Sequence, residues 1–338
     1  MVTQTSITVE PALPAAHGPL STAVRRILTT PASREPSGIG ASVRDSDPYG
    51  LDLQLALYMC YELHYRGFAS VDPEWEWNPA LLRLRAELER VFLAGVRRDV
   101  GPIDADHTAA AEMDALAIEP REGTGPSWYL RDSGTWEQMR EYFVHRSLYH
   151  LKEGDPHAFA IPRLLGTAKA AFVAIEFDEY GAGRGPHMHQ QLFADLLHAA
   201  ELDSTYLAYL DAVPAEALAA VNLMSLFGLH RRLRGAAVGH FASTEITSPP
   251  GSRRMVDALQ RMQAPAACAN FYREHVEADA VHEHVVRIDV VGDLLAREPH
   301  LDSDVVFGIR AHAAVEDRLA EVLMTSWQQG RSSLRRPL

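Results

Sequence analysis

The sequence from residue 275 to residue 282 reads HVEADAVH, and this short stretch holds the pattern from which the fold class is inferred. On an α-helix, which turns by about 100° per residue, His275, Asp279 and His282 fall within about 60° of one another and form one stripe over two turns. Glu277 and His284 fall on the opposite face. Two imidazoles and one carboxylate on one stripe are typical ligands of iron or manganese. The alternative is a polar helix face with incidental histidines.

A second pattern lies at residues 178–189, which read DEYGAGRGPHMH. The small and apolar run before it predicts a core helix that ends near Glu179, and the glycine-rich break predicts a turn before a new helix begins at His189. Glu176 lies one helical turn before Glu179 and could take its place. The alternative is a solvated helix end with no ligand role.

Two further carboxylates stand out by their surroundings. Glu245 follows a stretch rich in small residues, GAAVGHFA at 235–242, which predicts close helix packing. A carboxylate in such a place is costly unless it is paired or bound to a metal. Glu153 ends the segment LYHLKE, just before Gly154-Asp155-Pro156. Each of the two could also be an ordinary glutamate that faces water at a helix end.

Together these patterns supply seven oxygen and nitrogen donors from several helices: Glu153, Glu179, His189, Glu245, His275, Asp279 and His282. A zinc ion usually takes four ligands, so the set is too large for one zinc site. Carboxylates can bridge two iron ions while imidazoles complete the coordination of each. A ferritin-like diiron bundle needs two Glu-x-x-His motifs on separate helices. The chain offers one comparable motif, Asp279-Ala280-Val281-His282, so a different helical scaffold is favoured.

The rest of the chain is predicted to be helical as well. Residues 1–47 are rich in Pro, Ser, Thr and Gly and predict a flexible arm. Residues 48–134 hold two helical runs and a linker, which together predict a helical annex. From residue 135 to the end, apolar residues recur at helical spacing between breaks, one of which is Ser248-Pro249-Pro250-Gly251. We therefore expect an all-α fold with its metal-binding domain at 135–338.

Composition excludes several classes of protein. The 338 residues carry a formal net charge of -13, whereas nucleic-acid binding needs clustered Lys and Arg. Only two cysteines are present, which argues against a disulfide framework and against a cysteine-ligated zinc site. The first residues lack the basic start and apolar run of a signal peptide, and no segment approaches the ~18 consecutive apolar residues of a membrane span. We therefore expect a cytoplasmic protein that does not bind membranes.

The order and spacing of the seven donors resemble those of the haem-oxygenase-like diiron oxidases and oxygenases, the iron-containing redox enzymes. The segments LKEGDPH, DEYGAGRGPHMH, GLHRRLRGAAVGHF and HVEADAVHEH carry the likeness, which covers roughly residues 135–330. The resemblance implies a seven-helix haem-oxygenase-like bundle that holds two iron ions in place of haem. It also implies that ferrous iron reacts with dioxygen through a peroxo-diferric intermediate, with electrons from a donor or reductase.

Within this family the full set of seven donors resembles the branch that N-oxygenates amines or guanidines, in which Glu153 is the additional, catalytic carboxylate. The resemblance then implies a small substrate, derived from an amino acid, and a homodimer formed through the annex. Members that form nitrosoureas carry a cupin domain after the diiron domain. Because 56 residues follow His282, N-hydroxylation is expected here in place of nitrosourea formation.

Two other functions fit the same residues. A diiron oxidase could desaturate an amino acid or a fatty acid, or cleave its C–C bonds. A non-catalytic helical protein could bind a metal or another ligand through the same donors. The diiron interpretation predicts two ligand sets, namely Glu179, His189 and His282 for one ion and Glu245, His275 and Asp279 for the other.

Overall fold

The computed structural model describes residues 10–34, 43–104 and 106–338, and for residues 277–280 it describes the backbone alone. Within these ranges the chain contains helices and no β-strand, so the all-α prediction is confirmed. The α-helices are α1 (Pro19–Leu28), α2 (Leu51–Glu62), α3 (Pro79–Val100), α4 (Ala109–Leu116), α5 (Pro126–Asp132), α6 (Trp136–His150), α7 (Asp155–Ala158), α8 (Gly166–Glu179), α9 (His189–Ala199), α10 (Ala215–Leu229), α11 (Arg234–Arg261), α12 (Ala266–Val285), α13 (Asp293–Arg297) and α14 (Asp302–Gln328). In the described ranges, none of the helices combines the length and the apolar character that crossing a membrane requires.

Two of the helices begin where the sequence supplies capping groups. The side chain of Thr135 accepts a hydrogen bond from the backbone N–H of Gln138, and the side chain of Gln138 accepts one from the backbone N–H of Thr135, which forms the predicted capping box of α6. The side chain of Asn78 accepts a hydrogen bond from the backbone of Ala80, and Pro79 occupies the first turn of α3. These contacts determine where α6 and α3 begin.

Three short helices lie in segments whose sequences predict an arm or a linker. α1 lies within the arm, and α4 and α5 lie within the linker of the annex. α1 nevertheless buries Leu20, Val24 and Ile27 and packs against α2. None of the three is longer than ten residues, so its apolar spacing does not stand out beside proline- and glycine-rich flanks. The division into arm, annex and metal-binding domain stays a prediction.

Helix α11 runs through the break predicted at residues 248–251. Pro249 and Pro250 both lie inside α11, which continues to Arg261. Pro249 has no N–H to offer the carbonyl group of Glu245 one turn earlier, and this local cost is the reason that prolines usually predict a helix end. The prediction was wrong because α11 packs along α12 and α14, and tertiary packing overrides local preference.

Helices α11 and α14 approach each other so closely that both carry glycine at the crossing. A Cβ atom built on Gly239 would overlap the carbonyl oxygen of Val305, and one built on Gly308 would overlap that of Ala236. A side chain at either position must therefore force the two helices apart. The contact holds α11, and with it Glu245, against the rest of the bundle.

The helices of the predicted annex share one apolar core with the helices that follow them. A buried ion pair also joins the two parts, since Nζ of Lys152 lies 2.9 Å from Oε2 of Glu62. The hydroxyl group of Tyr206 donates to Oε1 of Glu62 at 2.8 Å, and Nζ of Lys152 lies 4.1 Å above the ring centre of Tyr65. These contacts tie α2 to the residue directly before Glu153.

The crossing of α11 and α14 predicts a large effect of a small substitution. We expect Gly239→Ala to lower the free energy of unfolding by about 1–3 kcal/mol, because the added methyl group meets the rigid backbone of α14. Urea unfolding followed by circular dichroism measures this.

Gly251→Ala on the same helix is the matched control, because a Cβ atom at Gly251 meets no atom within 4 Å. It should leave stability unchanged or raise it by up to about 1 kcal/mol, the usual gain of alanine over glycine in a helix. Equal stability of the two variants would contradict the close crossing.

Candidate metal centre

Six of the seven predicted donors lie together inside the bundle, and all six are buried. They are Glu153, Glu179, His189, Glu245, His275 and His282. Helix α8 ends at Glu179, α9 begins at His189, and α11 carries Glu245. The other two histidines lie on α12, and Glu153 follows the end of α6. Asp279 also lies on α12, but its side chain falls outside the described residues, so its role as a ligand stays a prediction.

The first group of donors consists of Glu153, Glu179, His189 and His275, which offer ligand atoms within 4.8 Å of one another. Nδ1 of His189 lies 2.8 Å from Oε2 of Glu179. Nε2 of His275 lies 3.5 Å from Oε1 of Glu153. The ring centres of His189 and His275 are 4.3 Å apart. Donors of these types at such separations could share one cation.

The second group consists of Glu179, Glu245 and His282, again with ligand atoms within 4.8 Å of one another. Nδ1 of His282 lies 3.1 Å from Oε2 of Glu245. Glu179 belongs to both groups, so its carboxylate stands between two possible cation positions. This grouping differs from the predicted ligand sets, because His189 lies beside His275 and not beside His282. The order of residues in the sequence does not determine which histidine of α12 lies beside His189, because that depends on which turn of α12 meets the start of α9.

The turn between α8 and α9 brings Glu179 and His189 together. Gly181 has a φ of 68°, a backbone conformation that strains residues with a side chain. A Cβ atom on Gly181 would also lie 2.6 Å from backbone atoms of His187 and Met188. Glycine therefore lets the chain fold back tightly enough for the first residue of α9 to face the last residue of α8.

Four glutamates, Glu153, Glu176, Glu179 and Glu245, are each at most 6% exposed. Burial, together with the neighbouring Glu179 and Glu245, raises the pKa of Glu176 well above its ordinary value. Among the described residues neither carboxylate oxygen of Glu176 has a hydrogen-bond partner, and Nδ1 of His189 approaches Glu179 without forming a hydrogen bond. Cations among these groups would compensate their burial, and mixed carboxylate and imidazole donors suit iron.

Hydrogen bonds around the first group orient His275 and Glu153. Nδ1 of His275 lies 2.8 Å from the carbonyl oxygen of Phe271 and donates to it, so that Nε2 faces Glu153. Nδ1 of His150 lies 2.8 Å from Oε1 of Glu153. Burial alone would raise the pKa of Glu153, but His150 and His275 hold it well below its ordinary value. His150 was not among the predicted site residues, although its spacing of three residues from Glu153 at the end of a helical run indicates that the two side chains can meet.

A carboxylate outside the cluster contacts His282. Nε2 of His282 lies 3.2 Å from Oδ2 of Asp178, while Nδ1 faces Glu245. A cation beside Glu245 would take Nδ1, and Nε2 would then carry the proton that Asp178 accepts. Such pairs of a metal-binding histidine and a carboxylate fix the ring and its tautomer. The sequence did not indicate this contact of Asp178, because the spacing of residues does not show which way the side chain next to a predicted ligand points.

A cavity of about 370 Å³ opens beside the donors. Glu153, Glu179, Glu245 and His275 form part of its wall, and further wall residues are Tyr149, His157, Phe241, Ser243 and His312. Burial lowers the pKa of His157 to about 4 and also lowers that of His312. Both rings are therefore neutral near pH 7 and offer hydrogen bonds without charge.

Comparison with protein families gives a match for this chain. The model of the family described as iron-containing redox enzyme matches residues 140–317, which is more than half of the chain. The matched segment contains all seven predicted donors, from Glu153 to His282. The comparison with curated proteins returns no match.

The contact between Asp178 and His282 predicts a change in metal binding. Replacing Asp178 by Ala should weaken the binding of one ferrous ion by about tenfold or more, because His282 loses the group that holds its ring. Anaerobic titration with Fe(II) measures the two binding steps, and Asp178→Asn should restore part of the loss.

Asp195→Ala on α9 is the control, since Asp195 is exposed and contacts Gln191. If Asp178→Ala and Asp195→Ala bind iron alike, Asp178 has no part in positioning His282.

Proposed function

We propose that this chain, which belongs to the iron-containing redox enzyme family, is a non-haem diiron oxygenase that N-oxygenates an amine or guanidine of a small metabolite derived from an amino acid. The observation that carries the proposal is the pair of buried donor groups that share Glu179. Two cations at these groups would have a carboxylate in common, and bridging carboxylates are a usual feature of diiron sites. Asp279, on the same stripe of α12 as His275 and His282, would complete the ligand set.

The donor set supports iron ions over haem. Glu153, Glu179 and Glu245 supply buried carboxylate oxygens, which suit metal ions and would face an apolar macrocycle without a partner for their charge. When bound, a pair of ferrous ions supplies the electrons that activate dioxygen. The protein keeps the donors in place through contacts such as those of Phe271 with His275 and of Asp178 with His282. The further electrons for turnover would come from an external donor or reductase.

The position of Glu153 supports N-oxygenation over the other reactions of the family. Its carboxylate belongs to the first donor group and is kept anionic by His150 and His275. It would therefore offer one more anionic ligand to a bound iron ion of higher charge. In this respect, and in the spacing of all seven donors, the chain resembles the N-oxygenating domain of the N-nitrosourea-forming enzyme of streptozotocin biosynthesis.

The cavity supports a small and polar substrate. Hydroxyl groups of Ser243, Thr244, Thr247, Ser248 and Ser252 line it along α11. Three of these hydroxyls are paired within the protein, that of Ser243 with Nδ1 of His312 and those of Thr244 and Thr247 with backbone carbonyl oxygens. The same wall carries the carboxylates of Glu153, Glu179 and Glu245, which attract the nitrogen of an amine or guanidine. Desaturation of a fatty acid is therefore the less favoured alternative.

We also propose that two copies of the chain form a homodimer through the annex.

The diiron proposal predicts the stoichiometry and its dependence on α12. We expect close to two iron ions per chain after anaerobic loading, measured by metal analysis. His275→Ala and His282→Ala should each remove at least one ion and abolish turnover, while leaving most of the helicity intact. His284→Ala on the same helix is the control and should behave as wild type, because His284 is exposed. One ion or fewer at saturation, or a preference for a single zinc ion, would refute the diiron centre.

The assignment of Glu153 predicts a separation of iron binding from chemistry. Glu153→Ala should still bind ferrous iron at wild-type stoichiometry, because the other donors remain. It should lose N-oxygenated product by about tenfold or more, since the additional anionic ligand is gone. Glu137→Ala, at an exposed position of α6, is the control.

Mass spectrometry after exposure of the loaded protein to dioxygen and a panel of amino acids and guanidines measures the product. The expected product gains an oxygen atom on nitrogen. A product that has lost hydrogen or carbon would support the oxidase alternative, and an unchanged yield in Glu153→Ala would remove Glu153 from the mechanism.

A further inference from the structure

Two neighbouring cavities of the bundle share part of their walls. We call the one beside the metal donors, of about 370 Å³, the inner cavity, and the other, of about 600 Å³, the outer cavity. Five side chains line both cavities and define what we call the neck: Ser127, Tyr142, Arg146, Arg254 and Glu316. A ligand in either cavity can therefore contact these groups.

The inner cavity extends from the neck to the metal donors. Tyr142, Arg146 and Tyr149 follow one another on one face of α6 at intervals of four and three residues, and all three line this cavity. Glu153, which follows the end of α6, lines the same cavity. A ligand that binds at the neck can therefore extend through the cavity toward Glu153.

The positive charges of the neck are compensated unequally. Nη1 and Nη2 of Arg146 lie 2.8 Å and 2.6 Å from the two carboxylate oxygens of Glu316, so this pair is neutral as a unit. Arg254 instead shares one carboxylate with a second arginine, since Glu119 accepts from both Arg253 and Arg254 at 3.0 Å. Glu119 is also half exposed, and solvent screens its charge. Among the described residues, Arg254 therefore carries charge at the neck that no buried anion balances.

The donors of the neck have capacity for a further acceptor. Arg254 is held in place by a hydrogen bond of 3.1 Å from its Nε to Ser127 and by stacking 4.5 Å above the ring of Trp128. Its side chain is 14% exposed, so its contacts are partly shielded from water. Among the described residues, Nε of Arg146 is buried without a hydrogen-bond partner. A ligand carboxylate suits such donors, because hydrogen bonds between charged groups are about twice as strong as neutral ones.

The outer cavity distinguishes between two kinds of carboxylate. Besides the paired Glu316, Asp317 and Glu321 line it, and these two acidic groups repel a simple anion such as a fatty acid. An amino acid with a basic side chain carries positive charge as well, and it meets no such barrier.

We propose that the neck is a substrate-binding site that takes the carboxylate of a basic amino acid, with Arg254 as its main contact. The side-chain nitrogen of the amino acid then reaches toward Glu153 and the other metal donors. This inference rests on the proposed function, because the reacting group at the metal end is taken to be a nitrogen atom. Arg254 is the specificity-determining residue, and Ser127 and Trp128 position it.

Anaerobic calorimetry on the iron-loaded protein tests the site with matched probes. L-lysine and cadaverine, and likewise L-arginine and agmatine, differ only by the carboxylate. We expect the amino acid of at least one pair to bind about tenfold or more tightly than its decarboxylated partner. Arg254→Gln should weaken binding of that amino acid to the level of the amine, while amine binding stays unchanged. Arg254→Lys, which keeps the charge, should retain part of the preference.

Arg253→Gln is the matched control, because Arg253 shares Glu119 with Arg254 but lines neither cavity. It should keep the full preference for the amino acid. The proposal is overturned if amino acids and amines bind equally to the wild type, if no probe binds, if dodecanoate binds more tightly than the amino acids, or if Arg253→Gln and Arg254→Gln act alike.

The readout separates this inference from the proposed function. Binding is measured without dioxygen, so it does not depend on the chemistry that follows. A preference that disappears in Arg254→Gln, without any N-oxygenated product in air, would support the neck and refute N-oxygenation. N-oxygenated product without a preference for the carboxylate would support N-oxygenation and refute the neck as a carboxylate site.

Discussion

The structure depends on the burial of several carboxylates close to one another in an apolar helical core. Four glutamates are almost completely buried, and removing each carboxylate from water costs free energy unless a partner compensates it; they are Glu153, Glu176, Glu179 and Glu245. Imidazoles from α9 and α12 lie among them, and together these groups create a site whose electrostatic compensation is a cation. The raised pKa of Glu176 is a consequence of the same crowding. Bound cations would offset the free-energy cost of burying these carboxylates together.

The scaffold around the site is correspondingly firm. Glycines at the crossing of α11 and α14 bring the backbones together, so that α11 has little freedom to shift. The buried pair of Lys152 and Glu62 ties α2 to the end of α6, and Arg66 donates to the carbonyl oxygen of Leu151 at 3.0 Å. The segment before Glu153 is therefore held by its backbone. A carboxylate that changes its contacts there would move by rotation of its side chain, while the chain that carries it stays in place.

The wall of the inner cavity combines groups of different charge. The carboxylates and histidines of the donor groups share it with hydroxyls, with the neutral rings of His157 and His312, and with the arginines of the neck. Such a wall orients a molecule with unlike ends more strongly than a uniformly polar cavity would. Glu316 contributes by neutralising Arg146, which leaves Arg254 as the distinctive charge of the neck.

The sequence by itself determined the helical class, several helix boundaries and the residue types of the candidate site. Helical periodicity is local, so the common face of His275 and His282 and the return of the chain between Glu179 and His189 could be predicted from spacing. Short helices such as α1 were not predicted, because ten residues give too few apolar repeats to stand out. The rule that proline ends a helix failed at Pro249, because packing along α11 outweighs the loss of one backbone hydrogen bond.

Only the tertiary structure decided which donors lie together. It placed His189 with His275, made Glu179 common to both groups, and brought Asp178 to His282 and Arg254 to the cavity. These are contacts between residues far apart in the chain or on faces that spacing does not fix. They depend on how helices cross, and helix crossing is set by side-chain packing over the whole bundle, which no local pattern records.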